Sequence, residues 1–385
     1  MQFKDIIGQD AVKAEVIKQA RGEKLHHAHL FIGKMGFGTF GLALAFVQYF
    51  YCENKTETDS CNECTNCHKI KNFIHLDVHY TFPTFSEKEN CKILHPKFKE
   101  IIQEKGHLFD IKDWLDFNNT KNYKIRVEET TEILNTFSMY SYEGGYKTQL
   151  IWMAEELRKE SNKILKILEE PNPMSLFVLI AESSDHILPT ILSRCNIHKI
   201  PRLPDLEIEK LMNLEFSKVH DKIKKASINF SNGDIIAARR YIEDVGTEDS
   251  IEHFTLQILR GIVKFNERHL VKIQEMLDAC NELAGKSKEV QKKVLEHLLY
   301  VLNEIIQYKY KGEITASDEL SGAIKYFASV MDIDQIEYSI DEISKTIYAI
   351  ERNANSKISF VSLGIILGKF QTRTEFFKWN KIEMK

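Results

Sequence analysis

The stretch His29-Leu30-Phe31-Ile32-Gly33-Lys34-Met35-Gly36-Phe37-Gly38-Thr39-Phe40 runs from apolar residues into a glycine-rich turn, and a helical pattern continues to about Tyr51. Strand, glycine turn and helix in that order are the setting of a phosphate-binding loop, where backbone N–H groups and a helix N-terminus attract an anion. A working loop of the form G-x-x-x-x-G-K-[ST] adds a lysine for the β/γ-phosphates and a hydroxyl for Mg²⁺. Counted from Gly33, with Gly36 and Gly38 inside the turn, the lysine position holds Thr39 and the hydroxyl position holds Phe40. Thr39 has no positive charge and Phe40 no oxygen. Lys34 stands five positions too early to substitute. The spacing predicts a loop kept for its backbone shape, with nucleotide binding in doubt and ATP not hydrolysed by this chain.

Moving outward, Lys147–Met153 and Leu176–Ala181 are further apolar, strand-like runs. Glu155–Glu169 has helical spacing, and His186–Ser193 fits a short helix. Strands alternating with helices predict a parallel sheet covered on both faces. An NTPase also needs an acidic pair at the end of the strand beside the loop. That strand ends Leu150-Ile151-Trp152-Met153-Ala154-Glu155, so Trp152 and Met153 stand where the acids belong. Glu155 and Glu156 are expected to form a solvated first helical turn that complements the helix dipole.

After Pro201 and Pro204 strand signals cease. Amphipathic helical segments follow, broken at Asn232-Gly233 and near Gly246, with long helical periodicity over Glu267–Tyr308 and Asp334–Ile350. The 385 residues are therefore expected to form an α/β domain over 1–203, a helical lid over 204–247 and an all-α C-terminal domain over 248–385. Pro83–Tyr123 has mixed character and reads as an insertion with a local aromatic core around Trp114. Hydrophobic residues at 43% and charged residues at 28% describe a globular protein. The apolar runs Leu42–Tyr51 and Val361–Leu367 are too short to cross a bilayer, and the N-terminus lacks the pattern of a secretory signal. A cytoplasmic protein without membrane contact is expected. A net charge of −4 argues against coating DNA by electrostatics alone.

Seven cysteines are present, and four crowd into Cys52-x8-Cys61-x2-Cys64-x2-Cys67. In a reducing compartment such a cluster reads as a metal site and not as a disulfide framework. Four soft ligands suit tetrahedral Zn²⁺ and leave no position open for water, which makes the site structural. An iron–sulfur cluster is the rival, although no Cys-Pro follows Cys67 after three residues and position 71 is lysine. His68 reads as a neighbouring surface residue. Cys91, Cys195 and Cys280 read as packed thiols.

Ile7-Gly8-Gln9, the glycine loop and the four-cysteine module are joined by two longer motifs, Asn162–Pro171 (ending Leu168-Glu169-Glu170-Pro171) and Leu188–Cys195. Together they make the chain resemble the delta-prime-type subunits of the bacterial DNA polymerase III clamp loader, within the AAA+ family, over most of the first 240 residues. The resemblance implies a RecA-like AAA+ domain, a lid and a helical collar. It implies assembly with gamma/tau-type motor subunits and a delta-type subunit, acting on a sliding clamp and primer-template DNA. Ser193, Arg194 and Cys195 match the family motif whose arginine is presented to ATP held by a neighbouring subunit. A guanidinium delivered in this way stabilises charge on a transferring phosphoryl group. Pro189 suits the first turn of the short helix carrying it.

Two departures from the active members agree with an inert pocket. The lid arginine expected three residues after Gly233 is Ile236, and the polar sensor at the end of the third strand falls at Ala181-Glu182, where a carboxylate repels a γ-phosphate. Two other readings remain open at this stage. One is an ATP-hydrolysing motor subunit, opposed by Thr39 and Phe40. The other is a stand-alone zinc nucleic-acid-binding protein, opposed by the few basic residues near the cysteines (Lys55, Lys69, Lys71) and the lack of interleaved aromatics.

Overall fold

The computed structural model describes residues 1–22, 25–143, 145–244, 250–265 and 270–370. Two compact units emerge. One comprises Met1–Leu211 with Asn232–Ala237; the other comprises Met212–Ser231 and the chain from Ala238 onward.

The first unit is an α/β fold around a five-stranded sheet of order β2-β3-β4-β1-β5. The strands are β1 (Ala28–Ile32), β2 (Val78–Thr81), β3 (Lys147–Trp152), β4 (Ser175–Ala181) and β5 (Asn196–Lys199). Every pairing is parallel, with Ala28 opposite Phe177, Lys147 opposite Ser175 and Val78 opposite Thr148. A parallel sheet is covered on both faces, which is why β3 and β4 are buried at every residue; β4 is apolar from Leu176 to Ala181, whereas β3 opens on the buried polar residues Lys147, Thr148 and Gln149 before Leu150-Ile151-Trp152. The edge strands β2 and β5 escaped the sequence reading. They are four residues long and carry His79, Thr81, Asn196 and Lys199, so neither has an apolar run to betray it.

Helices α1 (Asp10–Arg21), α2 (Thr39–Tyr51) and α3 (Thr65–Lys71) precede β2. Helix α2 is buried along almost its whole length, as its run of Leu, Ala, Phe and Val requires. Between β2 and β3 lie α4 (Cys91–Lys105), α5 (Ile111–Phe117) and α6 (Val127–Ser138); α7 (Ser161–Glu169) and α8 (Pro189–Leu192) flank β4. The helical reading of Glu155–Glu169 needs correction. Ala154–Glu160 is a tighter 3₁₀ turn, Arg158 leaves helical geometry (φ 44°, ψ −123°), and α7 starts only at Ser161.

Beyond Pro204 come α9 (Asp205–Glu215), α10 (Asp221–Ser231), α11 (Ile235–Asp244), α12 (Ile251–Phe265), α13 (Leu270–Gly285), α14 (Lys288–Lys311), α15 (Asp318–Val330), α16 (Ile333–Glu351) and α17 (Ser356–Phe370). The break expected at Asn232-Gly233 is there, with both residues at positive φ; that near Gly246 lies outside the described residues. The periodicity over Glu267–Tyr308 resolves into α13 and α14, separated where Ser287 caps the second helix by accepting the Val290 N–H; residues 267–269 lie outside the described ones. The core of the second unit is aliphatic, with Leu283, Val294, Leu295, Val301, Ile305 and Ile336 wholly buried. No described helix is long and apolar enough to cross a membrane.

Candidate functional site

The glycine turn has the backbone of an anion-binding loop. Gly38 sits at φ +88°, a conformation costly for any residue with a Cβ, and passes the chain into α2. The side chains around it do different work. Thr39 donates its hydroxyl to the Lys34 carbonyl at 2.8 Å, so its one proton stays within the loop. Phe40 is fully buried, 5.1 Å from the Phe109 ring, 6.0 Å from Trp152 and 6.1 Å from Phe98. Trp152 completes the cluster at 5.0 Å from Phe109 and donates its indole N–H to the Met35 sulfur. Trp114 stacks edge-on to Phe98 at 5.6 Å and donates to the Pro83 carbonyl. The aromatics of the 83–123 segment are thus not a separate local core. They form one cluster with Phe40 of α2 and Trp152 of β3.

Carboxylates surround the rest of the turn. The Asp234 carboxylate accepts the Ala237 N–H, opening α11, and lies so close to Gly36 that a Cβ there would come within 1.8 Å of it. Glu182 stands at the solvent-exposed mouth, crowded by protein. That crowding and the nearby Asp110 raise its carboxyl above the ordinary range, while a hydrogen bond from the Met35 backbone opposes them. Glu155 contradicts the expectation of a solvated helical turn. It is 8% exposed, accepts the Glu182 N–H at 2.9 Å through one oxygen, and leaves Oε2 buried without a partner. Burial pushes its carboxyl up to about 7, against the lowering effect of the Glu182 N–H. The reason for the misreading is tertiary: the turn that carries Glu155 packs against β4, which local helix-start logic does not register.

The motif Ser193-Arg194-Cys195 follows α8, whose N-terminal Pro189 occupies the helix start. Arg194 Nη1 donates to the Thr190 carbonyl at 2.7 Å and to Ser193 Oγ at 3.3 Å; Nη2 pairs with Glu169 Oε1 at 2.7 Å. The side chain keeps about a third of its surface exposed. Cys195 is half-buried against the α/β core, and Cys91 and Cys280 are buried, as packed thiols should be. Glu169, Asp234 and Glu155 were not singled out as site residues from sequence. A signal existed for two of them: Glu169 puts an acid at the negative end of a helix, and Asp234 stands directly before one.

The four cysteines converge. Cys52, Cys61, Cys64 and Cys67 place their sulfurs within 4.8 Å of one another, with 3.5 Å between Cys52 and Cys61 and 3.9 Å between Cys61 and Cys67. A tetrahedron of 2.3 Å metal–sulfur bonds has sulfurs about 3.8 Å apart, so these residues fit such an ion. Backbone N–H groups point at the sulfurs: Cys61 N–H at Cys52, Cys64 and Glu63 N–H at Cys61, and Cys67 N–H at Cys64. The Glu63 N–H leads in lowering Cys61 to about 7, whereas burial raises Cys52 and Cys67. The module is tied to the rest of the unit through Ser60, whose carbonyl accepts from Gln2 and whose hydroxyl accepts from Gln48.

Comparison with known proteins completes the picture. The chain is 27% identical over 209 residues to DNA polymerase III subunit tau/gamma of Haemophilus influenzae, covering 54% of this chain and 25% of that one. It is 28% identical over 174 residues to DNA polymerase III subunit delta' of Bacillus subtilis, covering 45% and 41% respectively. The matches therefore span less than half the length of these relatives. A DNA polymerase III gamma subunit-related protein from Thermotoga maritima aligns in structure over 64% of this chain and 80% of its own, at 16% identity and a TM-score of 0.32. The family model described as DNA polymerase III, delta subunit, matches residues 8–204, just over half of the 385 residues. On that match the chain belongs to the DNA polymerase III delta subunit family.

Proposed function

We propose that the chain is a non-hydrolysing, delta-prime-type subunit of a clamp loader, which helps place a sliding clamp on primer-template DNA beside gamma/tau-type and delta-type subunits. The observation that carries the non-hydrolysing part is the Phe40–Trp152–Phe109 cluster. It fills with rings the ground where a metal ion and an acidic pair would have to stand, and no lysine faces the phosphates from position 39. Asp234, held against Gly36 in the turn, adds an acid that disfavours polyphosphate there. Family membership and the relatives' names support the clamp-loader setting.

In this reading Arg194 is the part of the chain that meets ATP, and that ATP belongs to a neighbouring subunit. A planar, permanently charged guanidinium on a short exposed turn is suited to stabilise phosphoryl charge in trans. The α/β unit carries it, the 204–247 segment acts as a lid, and residues from 248 onward join a helical collar. The four cysteines would hold zinc as a structural staple, and zinc would supply cross-linking of the 52–67 loop and no chemistry. Calorimetry of the purified chain with Mg-ATP, combined with elemental analysis of the same sample, tests both halves. The expected result is no ATP binding, zinc at about one ion per chain, and no iron. Tight Mg-ATP binding with turnover would overturn the passive reading, and iron in the sample would overturn zinc.

A further inference from the structure

We infer that Glu169 is a positioning residue for Arg194, an inference that rests on the trans-acting arginine proposed above. The starting point is a carboxylate in an unfavourable place. Glu169 is the last residue of α7, where the helix carbonyls already carry partial negative charge, and Glu170 follows it. An acid there does not serve the helix. Its carboxylate meets Arg194 Nη2, at 2.7 Å.

That pair does little for the stability of the fold either. Glu169 is about half exposed and Arg194 about a third, and ion pairs in such surroundings are screened by water. What the contact does is geometric. Alone, Nη1 on the Thr190 carbonyl and Ser193 Oγ would leave the guanidinium plane free to swing about that edge. Glu169 fixes the other nitrogen, from a separate helix, so the plane is held at three points on two elements. Three of the five guanidinium N–H groups are used, and two remain to meet an incoming anion. A guanidinium already oriented loses less freedom when it engages a transferring phosphoryl group, which is how a supporting residue contributes to rate without touching the reacting atoms.

The test uses the reconstituted loader carrying full-length variant chains, with kcat and KM for ATP measured in the presence of clamp and primed DNA. Glu169→Ala is expected to lower kcat by roughly 10- to 100-fold with KM unchanged and with the melting temperature of the isolated chain unchanged. Glu169→Gln, which can still accept the Nη2 hydrogen bond, should recover most of the rate. In an Arg194→Ala background, Glu169→Ala should cause no further loss. Wild-type kcat in Glu169→Ala alongside an impaired Arg194→Ala overturns the positioning role, as does a loss that adds to that of Arg194→Ala. A loss that follows a fallen melting temperature in both Glu169 variants marks a structural contact and overturns it too. Full activity in Arg194→Ala would instead bring down the finger reading itself, and this inference with it.

Discussion

At the glycine turn after β1, Phe40, Trp152 and Thr39 all turn their polar or aromatic groups to partners within the chain. At the turn after α8, Arg194 is held by the Thr190 carbonyl, Ser193 and Glu169 yet keeps a third of its side chain in solvent. Both turns stand on the same α/β unit, and the proposed function gives them opposite parts. The contrast teaches where function is retained. In the proposed function, the turn filled with fully buried rings belongs to the core, and the partly exposed cation supported on two helices is the part offered to a partner.

Breaking the filled side first should produce the largest change in stability. Phe40→Ala removes a fully buried ring from a cluster that spans α2, β3, α4 and the turn before α5. Urea denaturation of the isolated chain should show a loss of about 3–5 kcal/mol. A loss below about 1 kcal/mol would mean that the cluster is not core and that the pocket has room after all.

Glu155 sharpens the same comparison through pH. Its carboxyl is raised by burial to about 7 in the folded chain, above the ordinary value of 4.5. Between those values the folded state keeps a proton that the unfolded state has released, so this group favours folding at pH 4.5 and that contribution falls away as pH rises through 7. The total swing from one residue is on the order of 3 kcal/mol. Glu155→Gln should therefore be more stable than the wild type at pH 8 and show little advantage at pH 4.5. Equal stability of the two proteins at pH 8 would place Glu155 in solvent.

Much of this was legible in the residues. The three central strands announced themselves through the apolar stretches Leu30–Ile32, Leu150–Trp152 and Leu176–Ala181, which a sheet covered on both faces demands, and the Cys52–Cys67 spacing put four sulfurs together as such spacing does. The substitutions at Thr39, Phe40 and Trp152 were visible as departures from a phosphate-binding pattern. What filled the vacated ground was not visible, because Phe98, Phe109 and Trp114 come from a segment whose place in the fold only tertiary packing decides. Asp234 approaches Gly36 from almost two hundred residues away, and no local pattern encodes that meeting. The role of Glu169 is not legible locally, since its partner Arg194 lies beyond an intervening strand.

In the proposed function this chain contributes an arginine to a neighbour's chemistry and no catalytic pocket of its own. The most direct measurement is the clamp- and DNA-stimulated ATPase rate of a reconstituted loader containing Arg194→Ala in place of the wild-type chain. The expected result is a fall of about 10³-fold or more at the site the arginine serves, with the complex still assembling. An undiminished rate in a fully assembled complex would contradict it.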